Sequence, residues 1–178
     1  MIEVETKVRV SNPDFWRRRL RQIGKYAGFE KKFDDYYTLQ RKGYPLRSLR
    51  IRHQRGFYEV NFKHRLSYER GVFAKKEVEF KVSDVNGFIA LIKDFGYKKW
   101  LSKEKHCSIF QVGRNFHVEL NFVRGLGWFL EIEYLVDKMS EVEHARNEVN
   151  RIIKELGFRE KDVVKDGYTK MLWMKMKK

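Results

Sequence analysis

Apolar and charged residues alternate strictly along several stretches of this chain. That is the period of a β-strand with two unlike faces. In the first stretch Ile2, Val4, Thr6, Val8 and Val10 share one face, while Glu3, Glu5, Lys7 and Arg9 share the other. Residues 77–82 put Glu77, Glu79 and Lys81 on one side, and residues 130–134 do the same for Glu131 and Glu133. Residues 117–122 alternate in the same manner, and residues 49–52 and 101–105 carry cations where the others carry carboxylates. Residues 29–37 and 57–63 are further predicted strands.

A helical period interrupts these strands in a few places. Asn12 is a predicted N-cap with Pro13 at the first helical position, and that helix is expected to end near Gly24. Val85, Phe88, Ile89, Ile92 and Phe95 form an apolar stripe that stops at Gly96. Ser140 and Glu143 have capping-box spacing, and Val142, Ala145, Val149, Ile152, Ile153 and Leu156 follow as a stripe ending at Gly157. A last helix is predicted over about 166–174. Residues 3–8 and 77–82 match at five of six positions, and each is followed by a capped helix and a glycine. Glu131 and Glu133, the third helix and Gly157 echo that unit, so a repeated strand–helix unit within a largely antiparallel sheet is expected.

Paired carboxylates on an inner face repel one another and raise each other's pKa unless a cation intervenes. Three Glu-x-Glu pairs on some strands and rows of Lys and Arg on others are reconciled if the sheet closes. The charged faces then line a channel, and the apolar faces point outward and need cover from the helices. Acidic clusters inside could hold hard divalent cations, and basic rows could hold phosphate oxygens. A triphosphate between the two would neutralise both.

Composition adds bounds. With 178 residues and two prolines, one domain over 1–178 is expected, and 42% hydrophobic content supports a packed core. No apolar run reaches the ~20 residues of a membrane span, and residues 1–8 do not look like a signal peptide. The single cysteine, Cys107, excludes an internal disulfide, so a cytoplasmic location is expected. A net charge of +15 announces an anionic partner: nucleic acid, an acidic membrane surface or a phosphorylated small molecule. Inward-facing carboxylates argue against nucleic acid, because they would repel a phosphate backbone unless metal intervenes, and no membrane partner is expected.

From Glu3-Val4-Glu5-Thr6-Lys7 onward the chain resembles the CYTH family, the triphosphate tunnel metalloenzymes, whose members begin with an ExExK strand. Asp34-Asp35-Tyr36-Tyr37, Leu49-Arg50-Ile51-Arg52, Lys63, Glu77-Val78-Glu79, Lys103 with Lys105, and residues 125–133 resemble its later motifs in order. The resemblance implies an α+β, mainly β fold: an eight-stranded antiparallel closed tunnel barrel covered by a few helices. It also implies chemistry on triphosphates dependent on Mg²⁺ or Mn²⁺. By carry-over, Glu3, Glu5, Glu131 and Glu133 are candidate metal ligands, and Lys7, Arg50, Arg52, Lys63, Lys103 and Lys105 are candidate triphosphate ligands. Glu77 and Glu79 are candidate catalytic groups that bind a second metal or orient the nucleophile. Two departures stand out: Asn121 replaces an acidic residue common in the family and is a weaker candidate metal ligand, and Lys105 replaces an arginine and lacks its planar fork.

The activities implied are a class IV adenylyl cyclase, making cyclic AMP and pyrophosphate from ATP, or a thiamine or inorganic triphosphatase. A non-catalytic binder of nucleotides, polyphosphate or RNA is the alternative from another class, and association of two copies is compatible with the sequence. The five histidines show no zinc spacing, Cys107 is expected to be a small buried residue, and the four tryptophans are expected in the core or the barrel's cover. Asp34 and Tyr36 serve equally as support for a site or as strand packing. The basic run of residues 17–21 is a solvated helix face or a steering field for anions.

Overall fold

The structure, a computed structural model, describes residues 2–45, 47–54, 56–69 and 72–177, without the side chains of residues 63–65. Eight strands run β1 (Ile2–Val10), β2 (Lys25–Thr38), β3 (Leu49–Gln54), β4 (Phe57–Glu69), β5 (Val72–Val82), β6 (Lys98–Val112), β7 (Phe116–Val123) and β8 (Gly127–Val136). They close a barrel in the order β1-β5-β4-β3-β2-β6-β7-β8, and every pairing is antiparallel. The predicted alternation is therefore an inside–outside alternation. The helices are α1 (Pro13–Ile23), α2 (Val85–Asp94), α3 (Val142–Glu155) and α4 (Tyr168–Met176). No helix among the described residues is long and apolar enough to cross a membrane.

Three helices follow strands, as the repeated unit predicts, and two of those strands, β1 and β5, are neighbours in the barrel. The Asn12 side chain accepts from the Phe15 N–H at 3.0 Å with Pro13 at the first position. Gly24 ends α1 where the chain presses on β6: a Cβ there would meet Gln111 O and a Val112 methyl at 2.8 Å. Asp84 caps α2 through Gly87 N–H at 2.9 Å, and Gly96, with φ +89°, ends it. The cap expected at Ser140 and Glu143 is not formed. Ser140 lies in a 3₁₀ turn, Met139–Glu141, whose Glu141 carboxylate accepts from the Asp137 and Lys138 N–H groups, while Glu143 pairs with Arg146 at 3.3 Å. The extra turn moves the helix start, and the carboxylate nearest the free amides takes them.

The core lies outside the barrel wall. Val4, Val8, Ala74, Val118, Leu120, Leu130 and Ile132 pack beneath α3 and α1 with Leu20, Ala145, Val149 and Ile153. A second cluster joins Tyr37, Ile51 and Val60 to Ile92 of α2. Helix cover is incomplete. Val78 and Phe80 on β5, and Phe29 and Phe33 on β2, are outward and exposed, as is Phe95 at the end of the α2 stripe.

The C-terminal segment completes the barrel. β1 pairs with β8 along nine residues but with β5 only through Ile2–Glu5. Beyond Glu5 that edge is taken by the chain after α3: Val163 bridges Val8, and Val164 N–H donates to Lys7 O at 2.8 Å. Four residues on, Tyr168 opens α4 and packs with Val123 and Phe129 at one barrel mouth.

Candidate active site

The register decides which inward charges meet. On the β1–β8 seam Glu5 stands opposite Glu133 and Lys7 opposite Glu131. Carboxylate oxygens of Glu5, Glu131 and Glu133 all lie within 4.8 Å of one another. Burial raises the Glu133 pKa well above its usual range, and Glu119, Glu3, Glu131 and Glu5 push it the same way. A proton there is the local substitute for a cation. Three converging oxygen donors suit a hard divalent ion such as Mg²⁺ or Mn²⁺. Glu3 lies outside this triple, one inward position before Glu5 on β1.

Cations surround the triple. Lys75 pairs with Glu5. Lys105 reaches Glu119 at 2.7 Å and Glu131 at 3.1 Å. Burial alone would lower the Lys105 pKa, but Glu119 and Glu131 outweigh it and hold the ammonium charged. Lys7 is buried, which lowers its pKa against the pull of Glu5 and Glu131. Lys32 joins from β2, 2.9 Å from Glu119.

Across the barrel Asp34 is fully enclosed and accepts from Arg52 Nε at 2.7 Å and Nη2 at 3.1 Å, with Lys103 at 3.0 Å. Its burial would raise its pKa, yet Lys103 and Arg52 hold it well below the carboxylate range. Asp34 thus orients two candidate phosphate ligands. Arg50 pairs with Glu59 at 2.9 Å and lies 3.7 Å from Glu79.

Two asparagines play matching parts. Asn121 Nδ2 donates to Glu119 and Glu131, both at 3.0 Å, and Asn61 Nδ2 donates to Glu77 at 2.7 Å and Glu79 at 3.1 Å. Each holds together two carboxylates that would otherwise repel. Asn121 therefore presents its amide N–H groups, not its oxygen, to the acidic cluster. The buried Asn121 Oδ1, Asn61 Oδ1, Arg50 Nε and Tyr168 Oη make no hydrogen bond. Such atoms are costly without partners and suit a polar ligand. The Tyr168 ring lies 5.2 Å from Lys7 Nζ and 5.9 Å from both Lys103 and Lys105 Nζ.

Of the sequence-predicted residues, Glu5, Glu131, Glu133, Lys7 and Lys105 come together, and Arg50, Arg52 and Lys103 line the facing wall. Glu77 and Glu79 continue the inward face of β5 beyond Lys75. The Lys63 side chain lies outside the described residues; its backbone stands opposite Glu77. Cys107 is buried, and burial pushes its thiol up to about 11. Sequence reasoning missed Glu119, Lys32, Lys75, Glu59, Asn61 and Tyr168 as site residues. Alternation was the available signal for the five strand residues; Tyr168 had none. Two surface cavities of about 440 and 540 Å³ lie outside the barrel and include no residue of this cluster.

The site is thus a closed barrel lined by carboxylates and cations, with three carboxylates converging on one point. The chain belongs to the CYTH family, whose domain model matches residues 1–168. It is similar to a candidate adenylate cyclase from Methanocaldococcus jannaschii, 25% identical over 96% of this chain and 98% of the relative. A Pyrococcus horikoshii protein of known structure is 29% identical, with a TM-score of 0.78 over 94% of this chain and 98% of the other. A candidate adenylyl cyclase from Hippeastrum, described as having a dominant triphosphatase activity, shares the fold at 13% identity, with a TM-score of 0.64 over 99% of this chain and 96% of the other.

Proposed function

We propose that this protein is a metal-dependent enzyme acting on a triphosphate inside the barrel, with conversion of ATP to cyclic AMP and pyrophosphate as its reaction. The convergence of Glu5, Glu131 and Glu133 beside Lys7, Lys75 and Lys105 carries this reading. The cyclase names of the relatives support it. Mg²⁺ or Mn²⁺ held by the three carboxylates would offset charge on the triphosphate and polarise phosphorus.

The chain's own residues do the rest. Lys7, Lys103, Lys105, Arg50 and Arg52 grip the phosphates, and Asp34 aims two of them. Lys75, Lys105, Lys32, Lys103, Arg50 and Arg52 all sit against carboxylates, so substrate entry is an exchange: phosphate oxygens take over cations, and the carboxylates this frees would be available to hold a divalent ion. In the cyclase reaction the ribose 3′-oxygen bonds to the α-phosphorus, and the bond from that phosphorus to the bridging oxygen breaks. Glu77 or Glu79 takes the hydroxyl proton, and the cations stabilise the leaving pyrophosphate.

A triphosphatase is the second reading, favoured by the many cations on the inner wall, which serve phosphates, and by the triphosphatase activity described for the Hippeastrum protein. Product analysis with ATP, thiamine triphosphate and inorganic triphosphate, each with Mg²⁺, Mn²⁺ or chelator, separates the readings. Cyclic AMP with pyrophosphate is expected from ATP. Orthophosphate would assign a thiamine or inorganic triphosphatase, and metal-dependent binding without turnover a binder. Full activity in a Glu131→Gln/Glu133→Gln variant would overturn the metal assignment.

A further inference from the structure

The tunnel does not account for the charge of the molecule. Inward positions hold carboxylates (Glu3, Glu5, Glu30, Asp34, Glu59, Glu77, Glu79, Glu119, Glu131 and Glu133) and described cations (Lys7, Arg9, Lys32, Arg50, Arg52, Lys75, Lys81, Lys103 and Lys105) in nearly equal number. Counting Lys63 inside as well leaves this wall close to neutral. The net +15 of the chain is therefore carried on the outer surface.

That surface includes an aromatic row that is exposed at its β2 end and half-buried toward Trp128, which packs against the core. Outward side chains on four consecutive strands, β2, β6, β7 and β8, bring Phe29 to within 6.2 Å of His106, His106 to within 6.0 Å of Phe122, and Phe122 to within 5.2 Å of Trp128, centre to centre. Phe29 is 53% exposed, and Phe33, on the same face of β2, is 44% exposed. Basic groups rim the row. Exposed Lys31 stands opposite His106 in the β2–β6 register. Arg124, 79% exposed, lies in the β7–β8 turn, which Lys175 holds at Gly125 O and Arg9 at Leu126 O. At the other end Arg21 sits over the Tyr26 ring at 5.9 Å, next to Lys25. The carboxylate within this face, Glu104, is paired with Arg124 at 2.9 Å and His106 at 2.8 Å; Glu30 at its edge is 3.3 Å from Lys32.

We propose that this outer face binds single-stranded nucleic acid, separately from the tunnel. Unpaired bases have π-faces for the rings, and the phosphates between them meet Lys31 and Arg124. A second copy packed face to face would set like charges against each other around the same rings. A duplex keeps its bases stacked on one another and offers the rings nothing.

The test is fluorescence anisotropy with a 3′-labelled oligouridylate of about 15 nucleotides. Its 5′-hydroxyl end denies the tunnel a triphosphate. Micromolar binding is expected at about 100 mM salt, with affinity falling as salt rises by about 0.7 log unit per phosphate contact for each log unit of salt. Phe29→Ser/Phe33→Ser and Lys31→Glu/Arg124→Glu, at exposed positions, should each weaken binding at least about tenfold and leave metal-dependent triphosphate binding in the tunnel unchanged. Glu131→Gln/Glu133→Gln should bind the oligonucleotide as wild type does. The proposal is overturned by an absence of binding or by an aromatic variant that binds normally. It is also overturned if the tunnel variant loses binding, if the face instead holds a dimer that these substitutions dissociate, or if it captures acidic vesicles but no oligonucleotide.

Discussion

Asp34 shows how much one buried charge organises. It holds Arg52 through two hydrogen bonds and Lys103 through a third contact, and all three side chains are largely out of water. Asp34→Asn would leave two cations facing an amide, and removing one partner of a buried ion cluster costs about 3–5 kcal/mol. Urea unfolding at pH 7 should show that loss. The pH dependence has a definite sign. The folded pKa is held well below the unfolded one, so the unfolded chain binds the proton first on acidification. The contribution of Asp34 is complete above the unfolded pKa of about 3.9 and fades as pH falls through the folded value. The gap between wild type and variant should be flat from about pH 6 to 8 and shrink below about pH 4. A gap constant through the acid range would mean that the carboxylate's charge contributes nothing.

Elements place such residues, and their ends follow simpler rules. Asp84 caps α2 by a single side-chain bond, so Asp84→Ala should cost about 1 kcal/mol in denaturant unfolding, with tunnel binding unchanged. α4 is different, because its first residue carries a phenol into the site. Tyr168 Oη has the Asn121 side chain as its polar neighbour but no well-formed hydrogen bond, so Tyr168→Phe should leave stability nearly unchanged. If the hydroxyl donates to a phosphate, the same variant should weaken tripolyphosphate binding about five- to tenfold by calorimetry, the worth of one hydrogen bond to a charged group. Equal loss of stability and binding would make Tyr168 a packing residue only. These two helices also mark the limit of what the sequence shows. Strand alternation made the inward positions legible, and with the family resemblance it located Glu5, Glu131, Glu133 and the basic rows. The start of α1 was legible because Asn12 and Pro13 act on adjacent amides. The start of α3 was not, because a 3₁₀ turn gave the capping work to Glu141. Nor was the pairing of Glu119 with Lys32 and Lys105, which depends on the β2–β6–β7 register, or the entry of Tyr168, which depends on β1 having an edge that β5 leaves free.

At the scale of the whole molecule, the barrel closes three carboxylates of two strands around one point, and β-sheet pairing alone does not relieve their repulsion. Part of the relief is the raised Glu133 pKa, which favours its neutral form, and part is Lys75 and Lys105. A divalent ion would replace all three at once and bind the folded chain alone, because the unfolded chain does not assemble the cluster. Mass action then requires stabilisation. At a hundredfold excess over the dissociation constant it amounts to about 2.7 kcal/mol. For a chain of this size that is a rise of about 5–10 °C in melting temperature. Mn²⁺ or Mg²⁺ should produce this rise in thermal melts, and sodium chloride of equal ionic strength should not, because screening acts weakly on a buried cluster. The rise should grow with pH, since burial and the neighbouring carboxylates raise the Glu133 pKa and proton displacement by a metal becomes easier as pH rises. In Glu131→Gln/Glu133→Gln both the rise and its pH dependence should vanish. A metal-induced rise that survives in that variant would place the ion elsewhere, with Glu77 and Glu79 on β5 the next pair to substitute.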